Sequence, residues 1–202
     1  MLTVVAMVVV GAPGGSYAEA DAAAYVKIGH FPLVVLSGYM AVLAVVGLIC
    51  LLAYLRQVIA AEPDRSLAAS IFWGTGLASA ASFAVGWGLV TGIALAAAEG
   101  GTGGSVPSVP PATTYVLSDT FLNVIFGSGG IMLGFALIAL MLGSRGIFPA
   151  WVRWVSLVLG VLALTAPFFF SAPAVPLWGI VVGVWLLIAR PGAPVRTEPE
   201  RP

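Results

Sequence analysis

The sequence predicts an all-α integral membrane protein: a bundle of five full transmembrane helices plus a short N-terminal apolar helix. Three observations carry that expectation. Of the 202 residues, 60% are hydrophobic and 8% are charged, whereas an ordinary soluble domain has about 25% charged residues. Uncharged runs of a length suited to cross a hydrocarbon core of about 30 Å recur along the chain. The arginines between these runs fall where a five-span parsing puts one side of the membrane: Arg56, Arg65, Arg145, Arg153, Arg190, Arg196 and Arg201 share it, and Lys27 alone lies opposite. Such an imbalance marks the cytoplasmic side, so a multi-pass cell-membrane protein with its carboxyl terminus in the cytoplasm is expected.

The same composition excludes several classes. Eight basic residues balance eight acidic ones, so there is no basic field to hold nucleic acid. A single cysteine, Cys50, closes no internal disulfide and builds no thiolate cluster. A single histidine, His30, cannot supply both axial ligands of a bis-histidine haem.

Taken in order, residues 2–11 form a short apolar segment followed by Gly11, Pro13, Gly14 and Gly15. It reads either as a shortened span, a possible sixth, or as a signal segment with Ser16-Tyr17-Ala18 as its cleavage site; the missing basic start weighs for the span. Full spans are expected over 31–55, 67–98, 120–143, 151–170 and 174–189. The second run is longer than one crossing needs, so it tilts or continues as helix beyond the surface. Pro167, Pro173 and Pro176 split the last apolar stretch in two, because proline removes a backbone donor and breaks a helix interior. Residues 99–118, rich in Gly, Ser, Thr and Pro, read as a mobile outer loop. Residues 1–190 thus form one bundle and 191–202 a disordered cytoplasmic tail. Tyr54, Trp151 and Trp154 mark the inner boundary and Tyr115 and Trp178 the outer one; Trp73, Trp87 and Trp185 fill the bundle or face lipid.

Small residues indicate how the helices pack. In the second span Gly74, Ala78, Ser82 and Gly86 repeat every four residues, as do Gly76, Ala80, Ala84, Gly88 and Gly92. Two such ridges allow close backbone approach on two sides, which places this helix at the centre of the bundle. The pairs Gly130/Gly134 and Gly179/Gly183 have the same spacing.

No span carries a charge in its interior, which argues against a proton relay or a voltage sensor. Hydroxyls within the spans are expected to return their hydrogen bond to the carbonyl four residues back. Asn123 has no equally easy local partner, so it should bond across to another helix or line a wetter pocket. Lys27, His30, Asp119 and Asn123, with Glu99 nearby, form a candidate polar site at the outer surface. Asp119 has a plainer role as a carboxylate at a helix amino terminus. Gly127-Ser128-Gly129-Gly130 has the look of a nucleophile turn, yet it lies mid-span with no histidine in reach and reads as a flexible or closely packed point. No catalytic residue and no metal site are expected. Lipid aside, no cofactor is expected either, although His30 could give single-histidine ligation of a chlorin or a metal.

Three motifs carry a resemblance. They are Ala22-Ala23-Ala24-Tyr25 followed by His30 ahead of a span, the entry Phe148-Pro149-Ala150-Trp151-Val152-Arg153-Trp154, and Pro176-Leu177-Trp178 with its apolar run to Arg190. In these, over most of the chain from Asp21 onward, the sequence resembles small multi-span actinobacterial membrane proteins of unknown function. Those usually have a complete first span, and its truncation here is the main departure. The resemblance implies the helical layout and no catalytic residues.

The functional expectation is a non-catalytic accessory or scaffolding subunit of a larger membrane complex, in contact with membrane lipids and other membrane protein subunits. The alternative is a small-solute or lipid carrier with a pocket near the outer leaflet, beside Asn123 and Tyr39.

Overall fold

The computed structural model of the chain describes residues 31–103, 110–165 and 174–189. These residues are helical apart from short turns, and no strand occurs among them. Helix α1 covers Phe31–Ala60 and α2 covers Ser66–Gly103. The turn between them is a 3-10 segment, Pro63–Arg65, closed by the Arg65 amide on the Glu62 carbonyl and by an Arg65–Glu62 ion pair at 2.7 Å. Helix α3 (Pro111–Asn123), a π-helical segment (Val124–Gly129) and α4 (Gly130–Gly143) follow one another without a break and form one rod. Gly146, at φ 79°, turns the chain into α5 (Ala150–Leu164), and α6 covers Ala174–Ala189. That φ favours glycine, because a Cβ would crowd the following carbonyl.

Helix α2 is central. It packs on α1 along one side and on α3, the π segment and α4 along another, while α5 covers α4 and α6 covers α5. Two apolar clusters result. One joins Leu52, Leu55 and Ile59 of α1 to Phe72, Leu133, Leu137, Leu140, Val152 and Trp178; the other joins Val34, Phe83, Trp87, Val90 and Ile125.

The structure corrects the span count. Among the described residues three helices are long and apolar enough to cross a membrane, namely Pro32–Ala60, Pro63–Ile93 and Ala112–Gly143. The expected full spans 151–170 and 174–189 are shorter helices of 15 and 16 residues. At about 1.5 Å per residue each covers roughly 22–24 Å, less than the hydrocarbon core. The first of them stops because the Thr165 amide and hydroxyl both bond to Leu162 O, at 3.0 and 2.7 Å, tightening its last turn.

The expected outer loop 99–118 is also corrected. Its first residues continue α2 to Gly103, and from Pro111 onward they are helix α3. Residues 104–109 lie outside the described residues. The composition misled here because Pro110 and Pro111 occupy the N-cap and first helical positions, where a missing N–H costs nothing. The span expected from residue 120 therefore begins nearer residue 111, and Asp119 lies two turns inside a helix, not at its start. The segment 2–11, the motif Ala22 to His30 and the tail 191–202 lie outside the described residues.

A Cβ built on Gly143 would stand 3.0 Å from both Ala68 Cβ and Ile59 Cγ2. The α1–α2 turn therefore lies beside the α4–α5 turn, and Arg56, Arg65, Arg145 and Arg153 share one end of the bundle. Trp185 of α6 meets Phe148 and Trp151 edge-on, with centroids 5.3 and 6.4 Å apart, so α6 also ends there.

Candidate functional site

Of the expected outer polar site, Lys27 and His30 lie outside the described residues. Asp119 and Asn123 are neighbours on α3, and Asn123 Nδ2 donates to the Asp119 carbonyl at 2.9 Å and to its Oδ2 at 3.3 Å. This corrects the expectation of a cross-helix bond. The amide finds the carbonyl four residues back, as a hydroxyl does. Among the described residues there is no group of three His, Cys, Asp or Glu that could hold a metal ion.

The span hydroxyls mostly bond within their own helix: Thr75 to Ile71 O, Ser82 to Ala78 O and Thr91 to Trp87 O. Two bond to another helix instead, and Ser82 also reaches Ser128 across α2 and the π segment. Ser79, fully buried, donates to Gly129 O at 2.7 Å, and Ser156, also fully buried, accepts from Trp178 Nε1 at 3.0 Å. The first explains the π turn. An extra residue in the turn disturbs the regular backbone ladder, and Ser79 supplies a donor to a carbonyl of that turn. Ser82 Oγ and Ser128 Oγ lie 3.2 Å apart beside it, while a Cβ on Gly129 would meet the Phe83 ring at 2.7 Å. Gly127-Ser128-Gly129-Gly130 is thus a contact point between α2 and the rod. Trp178, expected as an outer boundary marker, is fully buried.

The small-residue ridges divide between contact and open space. Gly76 faces Leu52 of α1, and a Cβ on Gly86 would overlap Ile125 and stand 3.1 Å from the Phe121 carbonyl. Ala80 is buried, whereas Ala78 and Ala84 are exposed. Gly74, Gly88 and Gly92 have nothing within 4 Å of a built Cβ, nor have Gly179 and Gly183. Gly130 and Gly134 are both buried, and Gly134 meets Gly160 of α5. Gly160 was not singled out in the sequence, although Ser156 and Gly160 have the same four-residue spacing.

The remaining feature is a groove of about 370 Å³ between α1 and α2. Val34, Gly38, Val42 and Val46 line one wall, and Ala84, Gly88 and Thr91 the other. Its origin is geometric. The helices touch where Gly38 meets Thr91 and again where Gly76 meets Leu52. Between these contacts α2 presents Ala84 and Gly88, which have too little bulk to close the gap. Tyr39 stands on the rim, 69% exposed, and Trp87 lies beneath, 3% exposed. The groove reaches Tyr39 but is not lined by Asn123 or Asp119. Its walls can bind an apolar chain, and no paired acid and base line it.

No family model, curated protein or solved structure matches the chain.

Proposed function

We propose that this is a non-catalytic integral membrane protein of the cell membrane that acts by binding, as an accessory or scaffolding subunit of a larger membrane complex. The arginine-bearing end, where α6 also ends, faces the cytoplasm in this reading. The observation that carries it is the outer face of α6. Leu187 is 80% exposed, and on the same side Gly183, one turn before it, and Gly179, one turn earlier again, have open space where a side chain would stand. A helix of 16 residues is short for the bilayer and gains from a neighbour. Small residues let the backbone of a partner's transmembrane helix approach closely.

The test is mass measurement after extraction into lipid particles without detergent. The wild type is expected in an assembly heavier than one chain, with a second membrane polypeptide in fixed ratio. Gly183→Leu fits the open space in the isolated chain but obstructs the partner, so it should release a folded monomer. A wild-type monomer, or an assembly indifferent to Gly183→Leu, would contradict the reading. The groove favours a second reading, a small-solute or lipid carrier.

A further inference from the structure

We infer that the α1–α2 groove retains one acyl chain of a bilayer glycerophospholipid, whose ester carbonyl accepts a hydrogen bond from the Tyr39 hydroxyl. This deepens the carrier reading by naming a site and a ligand, and it does not depend on the accessory role.

Depth is the first argument. The membrane-crossing stretch of α1 begins at Pro32, and the groove runs beside it from Val34 to Val46. At about 1.5 Å per residue that is about 18 Å, against about 15 Å for the hydrocarbon of one leaflet, so the groove runs from just inside the surface to the bilayer midplane and slightly past it. This is the course of a lipid tail. Polarity is the second. The lining is apolar but for two hydroxyls and the Trp87 indole N–H, a buried donor with no partner among the described residues. Thr91 Oγ1 donates within its own helix, to Trp87 O or Gly88 O at 2.9 and 3.1 Å. Tyr39 makes no hydrogen bond with the described residues and is 69% exposed. Side chains on a helix lean toward its amino terminus, so the Tyr39 phenol reaches back toward the surface end of α1. Tyrosine hydroxyls favour the headgroup layer, and the nearest acceptors a lipid offers there are its ester carbonyls.

Size decides against a helix as occupant. A helix is about 10–12 Å across, and its carbonyls are spent on its own backbone. The cavity of about 370 Å³ is at the small end of ligand pockets, which span about 300–1,000 Å³. A single chain fits that space without displacing either wall.

The experiment is native mass spectrometry of the protein released from detergent after delipidation, with an ester-linked phosphatidylglycerol added back as probe. The wild type should retain one lipid per chain. Gly88→Leu, whose side chain enters open space on the groove wall, should lower retention about tenfold or more through steric exclusion with the thermal midpoint unchanged. Ala84→Leu should do the same from a neighbouring position if Gly88→Leu folds poorly. Tyr39→Phe should lower retention about threefold, the share of one neutral hydrogen bond, and should erase the preference for an ester over an ether lipid. Gly74→Leu, equally open but outside the groove, should retain lipid normally. Equal retention by the wild type and both filled variants overturns the proposal, as does a wild type that holds none. Retention without transfer of lipid between vesicles would keep the site and remove the carrier role.

Discussion

Replacing Gly134 by leucine is expected to be among the most damaging single changes in this chain, costing about 3 kcal/mol or more of bundle stability. A Cβ on Gly134 would stand 2.8 Å from the Gly160 carbonyl, and a Cβ on Gly160 would stand 3.1 Å from the Gly134 carbonyl. The two backbones are therefore in contact, and a backbone oxygen cannot rotate aside as a side chain can. In lipid the helices gain little from apolar transfer, because acyl chains are as apolar as leucine, so close packing carries much of the association. Separating α4 from α5 also uncovers the Ser156–Trp178 bond. A thermal unfolding series in detergent checks this. Gly134→Leu should unfold far below the wild type, while Gly74→Leu, with open space at its Cβ, should stay within about 0.5 kcal/mol of it. Equal midpoints for the two variants would contradict the packing described.

Trp178→Ala should cost about 3 kcal/mol, the low end of the range for truncating a buried large aromatic. Its indole is fully buried between α5 and the large cluster and donates to Ser156 Oγ at 3.0 Å. The lower figure follows from the medium. Loss of transfer free energy from water counts for little when lipid can fill the gap, so lost dispersion contacts and one orphaned hydroxyl remain. Trp178→Phe separates the two, keeping most of the contacts and removing only the hydrogen bond, for about 1 kcal/mol. Trp154→Ala is the control, since Trp154 is 59% exposed and its removal should be near neutral. Denaturant titration of the three variants in mixed micelles gives the comparison. A Trp178→Ala variant as stable as Trp154→Ala would remove α6 from the packed bundle.

What the sequence revealed and what it hid follow from the range of each interaction. Helix α1 and the overlong α2 were legible because charge-free runs are local properties of the chain, although α1, expected over 31–55, runs on through Arg56 to Ala60. The shortness of α5 was not, since Thr165 ends it through a bond to Leu162 that any threonine in an apolar run could have made elsewhere. Helix α3 was hidden by its composition, because the prolines that signal a loop also suit a helix start. Asn123 was misjudged in the opposite direction, its amide satisfied at once by the Asp119 carbonyl. Gly134 drew attention through Gly130 on its own helix, yet the glycine it meets is Gly160, and no spacing within one helix identifies a partner on another. The groove was least legible of all, arising where α1 and α2 touch at two points and Gly88 and Ala84 leave the space between them empty.

A lipid-embedded bundle whose basic turns share one end is tested most directly by cysteine labelling. Arg65→Cys and Arg145→Cys, each made with Cys50→Ser, can be exposed to a membrane-impermeant maleimide in intact cells and in inverted vesicles. Both positions should be protected in cells and both labelled in inverted vesicles. Labelling of one position in cells and the other only in vesicles would contradict the account.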